Sequence, residues 1–147
     1  MERVVATIVV VVLAVAATAS VVIAQQSPAT GREALAQALK GAWLPLESGL
    51  IVGSTQGTPL SAKYEIDDGA FQLSVYTVKT DANAARDQQV AVAVAKRTLD
   101  TATASVVKAH AGYRAVSVMP AMNHGRPVAE ILLLNGTAWK VVSEPLD

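Results

Sequence analysis

Gly57-Thr58-Pro59-Leu60-Ser61-Ala62-Lys63-Tyr64-Glu65-Ile66-Asp67-Asp68-Gly69 is the stretch whose reading decides the fold. Leu60, Ala62, Tyr64 and Ile66 alternate with Ser61, Lys63 and Glu65, the period of a half-buried strand. Asp67-Asp68-Gly69 is a hairpin signal, and Phe71, Leu73 and Val75 alternate with Gln72, Ser74 and Tyr76 on the return. The pattern recurs. Gly125-Arg126-Pro127-Val128 opens an alternating run that ends at Asn135-Gly136, before a further run. The offset is 68 residues between Gly57 and Gly125 and 67 between Asp68 and Asn135. A helical pattern precedes each copy, so the chain reads as two units of a helix and three strands. The expected fold class is α+β: two αβββ units, with antiparallel sheets covered on one face by helices.

In the first unit, residues 33–80, Thr30-Gly31-Arg32-Glu33 reads as a capping box that starts a helix. Leu35, Leu39, Ala42 and Leu46 continue at helical spacing, and Pro45 ends the helix near Ala42 or Trp43. Leu50 to Val52 is a short strand candidate. In the second unit, residues 81–147, a long alanine-rich helix is predicted from the caps at Thr80 to Asn83 to about Gly112. Its stripe is Val92, Ala95, Leu99, Ala102, Val106 and Ala109. The stripe is built of small residues, which suits packing on a sheet better than the knobs of a coiled coil. Strands are expected at Arg114 to Met119, Pro127 to Leu134 and Thr137 to Ser143. Val116, Val118, Ala129, Ile131, Leu133, Trp139 and Val141 are predicted to face inward.

Residues 1–24 read as a secretory signal peptide. Arg3 precedes an almost wholly apolar run from Val4 to Ala24, and Val22-Ile23-Ala24 fits the small-residue cleavage rule. A run of this length also suffices for an uncleaved membrane anchor. Either way the remainder is expected outside the cytoplasm, periplasmic or secreted, with residues 25–32 as a linker. A cleaved leader removes only Glu2 and Arg3, so the balance of 12 basic and 12 acidic residues is kept. Such a neutral chain lacks the concentrated basic face of a nucleic-acid binder. With no cysteine in the 147 residues, neither disulfides nor thiol chemistry are available to an exported domain.

The phrases Pro59 to Gly69 and Gly125 to Gly136, each behind a helix in an exported bacterial-type chain, resemble the central hairpins of the PepSY domain family. The resemblance spans about Glu33 to Glu144. It departs from the family where many PepSY units continue into a strand pair around a D-x-x-T-G turn, which neither half has. The resemblance implies an extracytoplasmic, non-enzymatic binding module of a class found in protease propeptides. It also implies a protein partner, a peptidase foremost, to be regulated or inhibited. An exposed strand edge is the physical route, since an extended peptide can add to it through main-chain hydrogen bonds. The other function expected is a non-inhibitory envelope scaffold or sensor for a small ligand or protein.

No catalytic or cofactor-binding residue is predicted. His110 and His124 lack the second ligand at helical spacing that a metal site needs, and the serines lack a G-x-S-x-G context. Glu65, Asp67 and Asp68 read as a solvated hairpin tip. The metal candidates are Met119, Met122 and His124, because thioethers and an imidazole can ligate copper(I); methionines filling gaps in a core are the alternative. Trp43 and Trp139 are expected to be core anchors. Asn135-Gly136-Thr137 matches a glycosylation sequon that the turn already explains.

Overall fold

The computed structural model describes residues 8–11, 28–78 and 86–147. In chain order the elements are β1 (Ile8–Val11), α1 (Pro28–Leu39), α2 (Leu46–Ser54), β2 (Thr58–Asp67), β3 (Ala70–Val78), α3 (Arg86–Val94), α4 (Leu99–Ala109), β4 (Arg114–Asn123), β5 (Arg126–Asn135) and β6 (Ala138–Pro145). The fold is mixed α+β. Among the described residues, one sheet runs in the order β1-β3-β2-β4-β5-β6 with every neighbouring pair antiparallel.

The turns follow from local chemistry. Asp68 and Gly69 take φ of 47° and 79°. Two successive left-handed residues make the type I′ turn whose twist matches antiparallel strands. His124 and Gly125 repeat this geometry between β4 and β5, with φ of 48° and 78°. The β5–β6 hairpin forms as the sequence predicts, but its turn is Gly136-Thr137 rather than Asn135-Gly136: Asn135 stays in β5 facing Ala138, and Gly136 takes the left-handed first position at φ 60°.

The folded duplication differs from the sequence echo. The β2–β3 hairpin superposes in register on β4–β5, not on β5–β6: Thr58–Asp67 and Arg114–Asn123 are offset by 56 residues. The same offset carries the Asp68-Gly69 turn onto His124-Gly125. It also carries the irregularity between Pro59 and Ser61 onto that between Ala115 and Ser117. The two hairpins join edge to edge where Ala62 faces Val118, residues that are themselves 56 apart. A pair that exchanges into itself is what a local two-fold axis through the sheet requires. Buried positions correspond accordingly: Leu46 with Ala102, Leu50 with Val106, Leu60 with Val116, Leu73 with Ala129, and Val75 with Ile131. The doubled motif is therefore two helices and a hairpin, and β6 is an added edge strand.

Three sequence expectations change with it. Leu50 to Val52 lies inside α2, so no strand precedes β2 there; a short apolar run fits helix and strand alike. Thr30 to Glu33 lies within α1, which begins at Pro28. The single long helix is instead α3 and α4, broken at Ala95 to Thr98. The break has a distant cause. The backbone N–H groups of Lys96 and Arg97 donate to Leu146 O at 2.6 and 3.0 Å, and Leu146 N donates to Pro127 O at 2.9 Å. The C-terminal residues thus take over donors that a continuous helix would use.

The core lies between α2, α4 and the inner sheet face. Leu46, Leu50, Leu73, Ile131, Leu133 and Leu146 are each 0–1% exposed, and each contributes about 1.5–3 kcal/mol by burial. α2 buries Leu46, Gly49, Leu50 and Gly53, one face at helical spacing. A Cβ on Gly49 would overlap Leu73 Cδ2, and one on Gly53 would overlap Val75 Cγ1. The two glycines let the helix backbone settle onto β3. The predicted inward set holds for Leu60, Ala62, Tyr64, Val116, Val118, Ala129, Ile131 and Leu133. It fails at Ile66, 41% exposed near the hairpin tip, and at Val141, 67% exposed on the edge strand.

Residues 1–24 lie outside the described residues apart from Ile8–Val11. Among the described residues, no helix is long and apolar enough to cross a membrane.

Candidate functional site

A sheet offers its edges for recognition, and here β3, which lies beneath the four-residue edge strand β1, and the opposite edge strand β6 differ in chemistry. β3 reads Ala-Phe-Gln-Leu-Ser-Val-Tyr-Thr-Val from Ala70 to Val78, without a charge or proline. Its outer edge pairs with β1, Ile8 facing Tyr76 and Val11 facing Leu73. β6 pairs only with β5 among the described residues and carries Lys140, Glu144 and Pro145. Charges and proline are the usual guards of an edge against unwanted pairing. β3 lacks them.

A polar cluster stands across β2 and β3 beside that edge. Glu65 pairs with Lys63 at 2.6 Å and accepts from Ser74 Oγ at 2.5 Å. Gln72 Nε2 donates to Glu65 Oε1 and to Ser74 Oγ, each at 3.4 Å. Burial pushes the Glu65 carboxyl up, but the hydrogen bonds from Lys63, Ser74 and Gln72 outweigh it and hold the group below its ordinary value. Its hydrogen bond to Glu65 lifts Lys63 above the ordinary lysine value against burial. A carboxylate held ionised in this way is suited to order the hairpin rather than to donate a proton. Asp68 is occupied by the turn, as its positive φ shows.

A second cluster fixes the connection between α1 and α2. Arg114 donates from Nη1 to Leu39 O at 2.8 Å and from Nη2 to Leu44 O at 3.2 Å. Tyr64 Oη donates to the same Leu44 O. The guanidinium sits 5.4 Å from the Tyr64 ring centroid, and Tyr64 stacks on Phe71 at 5.4 Å. Desolvation raises the Tyr64 phenol above its ordinary value, opposed by Arg114. The cation also meets the carbonyl end of α1, where positive charge is favoured.

The third feature is a groove of about 590 Å³ between α1 and the β5–β6 hairpin. Arg32 and Ala36 line it from α1, Lys40 from the turn just past the helix, and Gly136, Thr137 and Trp139 from the hairpin. The Arg32 guanidinium lies 5.3 Å above the Trp139 ring centroid.

Sequence reasoning expected both tryptophans in the core. Trp139 is half-buried under Arg32, whereas Trp43 is 73% exposed. Leu44 turns in to pack on the core and directs its carbonyl to Tyr64 and Arg114. The role of Arg114 had no sequence signal, because its partners are carbonyls 70 and 75 positions away.

The metal candidates are not brought together. Met119 and Met122 lie three residues apart in β4 and so on opposite faces of the strand, 46% and 37% exposed. His124 occupies the left-handed first position of the β4–β5 turn. His110 ends α4, with Nδ1 2.8 Å from Val106 O and its ring edge-on to Tyr113. Among the described residues, no group of three or more histidine, aspartate or glutamate side chains is placed to hold a metal. Compared with family models, curated proteins and solved structures, the chain matches none.

Proposed function

We infer that this chain is an exported, non-enzymatic, PepSY-like binding module. It regulates or inhibits an envelope or secreted peptidase by taking an extended segment of it as an added strand. The observation that carries the reading is the uncharged edge of β3, seated with an extended apolar segment in four-residue register. Strand addition gives affinity through main-chain hydrogen bonds and specificity through alternate side chains. On the reading of residues 1–24 as a leader cleaved after Ala24, loss of Ile8–Val11 bares this edge for a partner.

The test is an activity titration. Residues 25–147, added to the envelope and secreted fractions of the source cell, should lower a peptidase activity saturably and at a stoichiometric ratio. The alternative function, a non-inhibitory envelope scaffold or sensor, draws support from the Trp139 groove, which is set apart from the β3 edge. It predicts saturable binding with peptidase activity unchanged.

A further inference from the structure

The groove at Trp139 lies at the opposite end of the sheet from the β3 edge. Its lining carries a net positive charge, Arg32 and Lys40 against Glu33. Arg32 and Lys40 form no ion pair with any described carboxylate, and the described pairs use other cations. The one acid in the lining is Glu33. Two cations therefore flank an indole, with Ala36 midway between them along α1 and Gly136 and Thr137 opposite. We propose that this groove binds an extended acidic polypeptide segment, with carboxylates at two positions four residues apart and an apolar side chain between them.

Spacing argues for an extended chain. Arg32 lies in α1 and Lys40 in the turn just past its last residue, Leu39; eight residues at about 1.5 Å each put them roughly 12 Å apart along the helix axis. Side chains on one face of an extended chain recur every second residue, at about 3.3 Å per residue. Acids four residues apart therefore stand roughly 13 Å apart and face the same way. The residue midway between them shares that face and meets Ala36 and Trp139. Moving one acid by a single position turns its carboxylate to the other side. The partner is thus an acid-x-apolar-x-acid segment, recognised by charge at both ends and by apolar contact in the middle. A helical acidic segment would present different spacings and is an outcome that the test separates.

The probe is a synthetic Ser-Glu-Ser-Leu-Ser-Glu-Ser peptide, titrated into the full chain carrying Trp43→Phe. Because the sequence has two tryptophans, Trp139 is then the sole indole reporter. The expected result is a saturable change in Trp139 emission whose dissociation constant rises several-fold between low and physiological salt. The constant should weaken at least tenfold in the Arg32→Glu, Lys40→Glu double variant. It should weaken similarly when the second glutamate of the peptide is moved by one residue. The double variant should still unfold in one cooperative thermal transition close to the parent's, since both side chains are exposed and only the Arg32 contact with Trp139 is lost. Equal binding of the shifted peptide or of a lysine-for-glutamate control would overturn the proposal, as would retained binding in the folded double variant. Peptidase inhibition is read separately, so a failure here leaves the β3-edge reading to its own test.

Discussion

Leu146 lies past the last strand, yet it is fully buried and holds the break between α3 and α4. Leu146→Ala removes a buried isobutyl group, for which core replacements cost about 2–5 kcal/mol. Leu146 lies past β6, outside regular secondary structure, where the backbone can close in on the lost volume, so the low end of that range, about 2–3 kcal/mol, is expected. Deleting Leu146 and Asp147 removes more. The bonds from Lys96 N and Arg97 N to Leu146 O and from Leu146 N to Pro127 O disappear, at about 1 kcal/mol each. The total of roughly 5–6 kcal/mol is comparable to the whole stability of a small domain, about 5–15 kcal/mol. The assay is urea unfolding followed by far-ultraviolet circular dichroism, with hydrogen exchange at the amides of Lys96 and Arg97. Leu146→Ala should lower the unfolding free energy by about 2–3 kcal/mol, and the deletion should also speed exchange at those two amides. If the deletion stays within about 0.5 kcal/mol of the parent and both amides stay protected, the attribution of the helix break to the C-terminal residues is wrong.

Three other consequences are open to measurement. Gly53→Ala gains about 1 kcal/mol of helix propensity but meets Val75, a buried β-branched side chain with restricted χ1. Overpacking at about 1–3 kcal/mol should win, and a stabilised variant in urea melts would refute the close approach of α2 to β3. Arg114→Lys keeps the charge but loses the fork that reaches both Leu39 O and Leu44 O. A loss of about 1–3 kcal/mol is expected from calorimetry, and no loss would show that the fork is dispensable. Glu65 has a folded-state pKa below its unfolded value. The stability it contributes is present above the unfolded value of about 4.3 and is lost as pH falls through the folded one. Acid titration of stability should therefore be shallower below about pH 4.3 in Glu65→Gln, and identical curves would remove Glu65 from the account.

The β2–β3 and β5–β6 hairpins were legible because Asp68-Gly69 and Asn135-Gly136 are strong local turn signals flanked by alternation. The form of the duplication was not. The Gly-x-Pro entries at Gly57 and Gly125 resemble each other in sequence and drew the repeat to an offset of 68. The folded repeat instead equates Tyr64 with Pro120 and Thr77 with Leu133, pairs sharing burial but little chemistry. Leu50 to Val52 was ambiguous by composition, and only packing of the Gly49 and Gly53 face on β3 makes it helical. The break at Lys96 and Arg97 carries no glycine or proline and depends on a residue some fifty positions away. Of the candidate sites, strand addition was foreseen as a mechanism, but the asymmetry between a guarded β6 and an uncharged β3 needed the strand order. The Arg32–Trp139 groove joins α1 to the last hairpin, a contact that local pattern cannot supply.

The central claim, that the domain restrains a peptidase through an added strand, is tested most directly by one titration. Residues 25–147 are added to the secreted and envelope fractions of the source cell while proteolysis of a casein substrate is followed. The account predicts a saturable fall in a peptidase activity that reaches its limit at a fixed molar ratio, with the amides of β3 gaining hydrogen-exchange protection in the complex. Activity unchanged at saturating protein, or inhibition with the exchange of β3 unaltered, would contradict it.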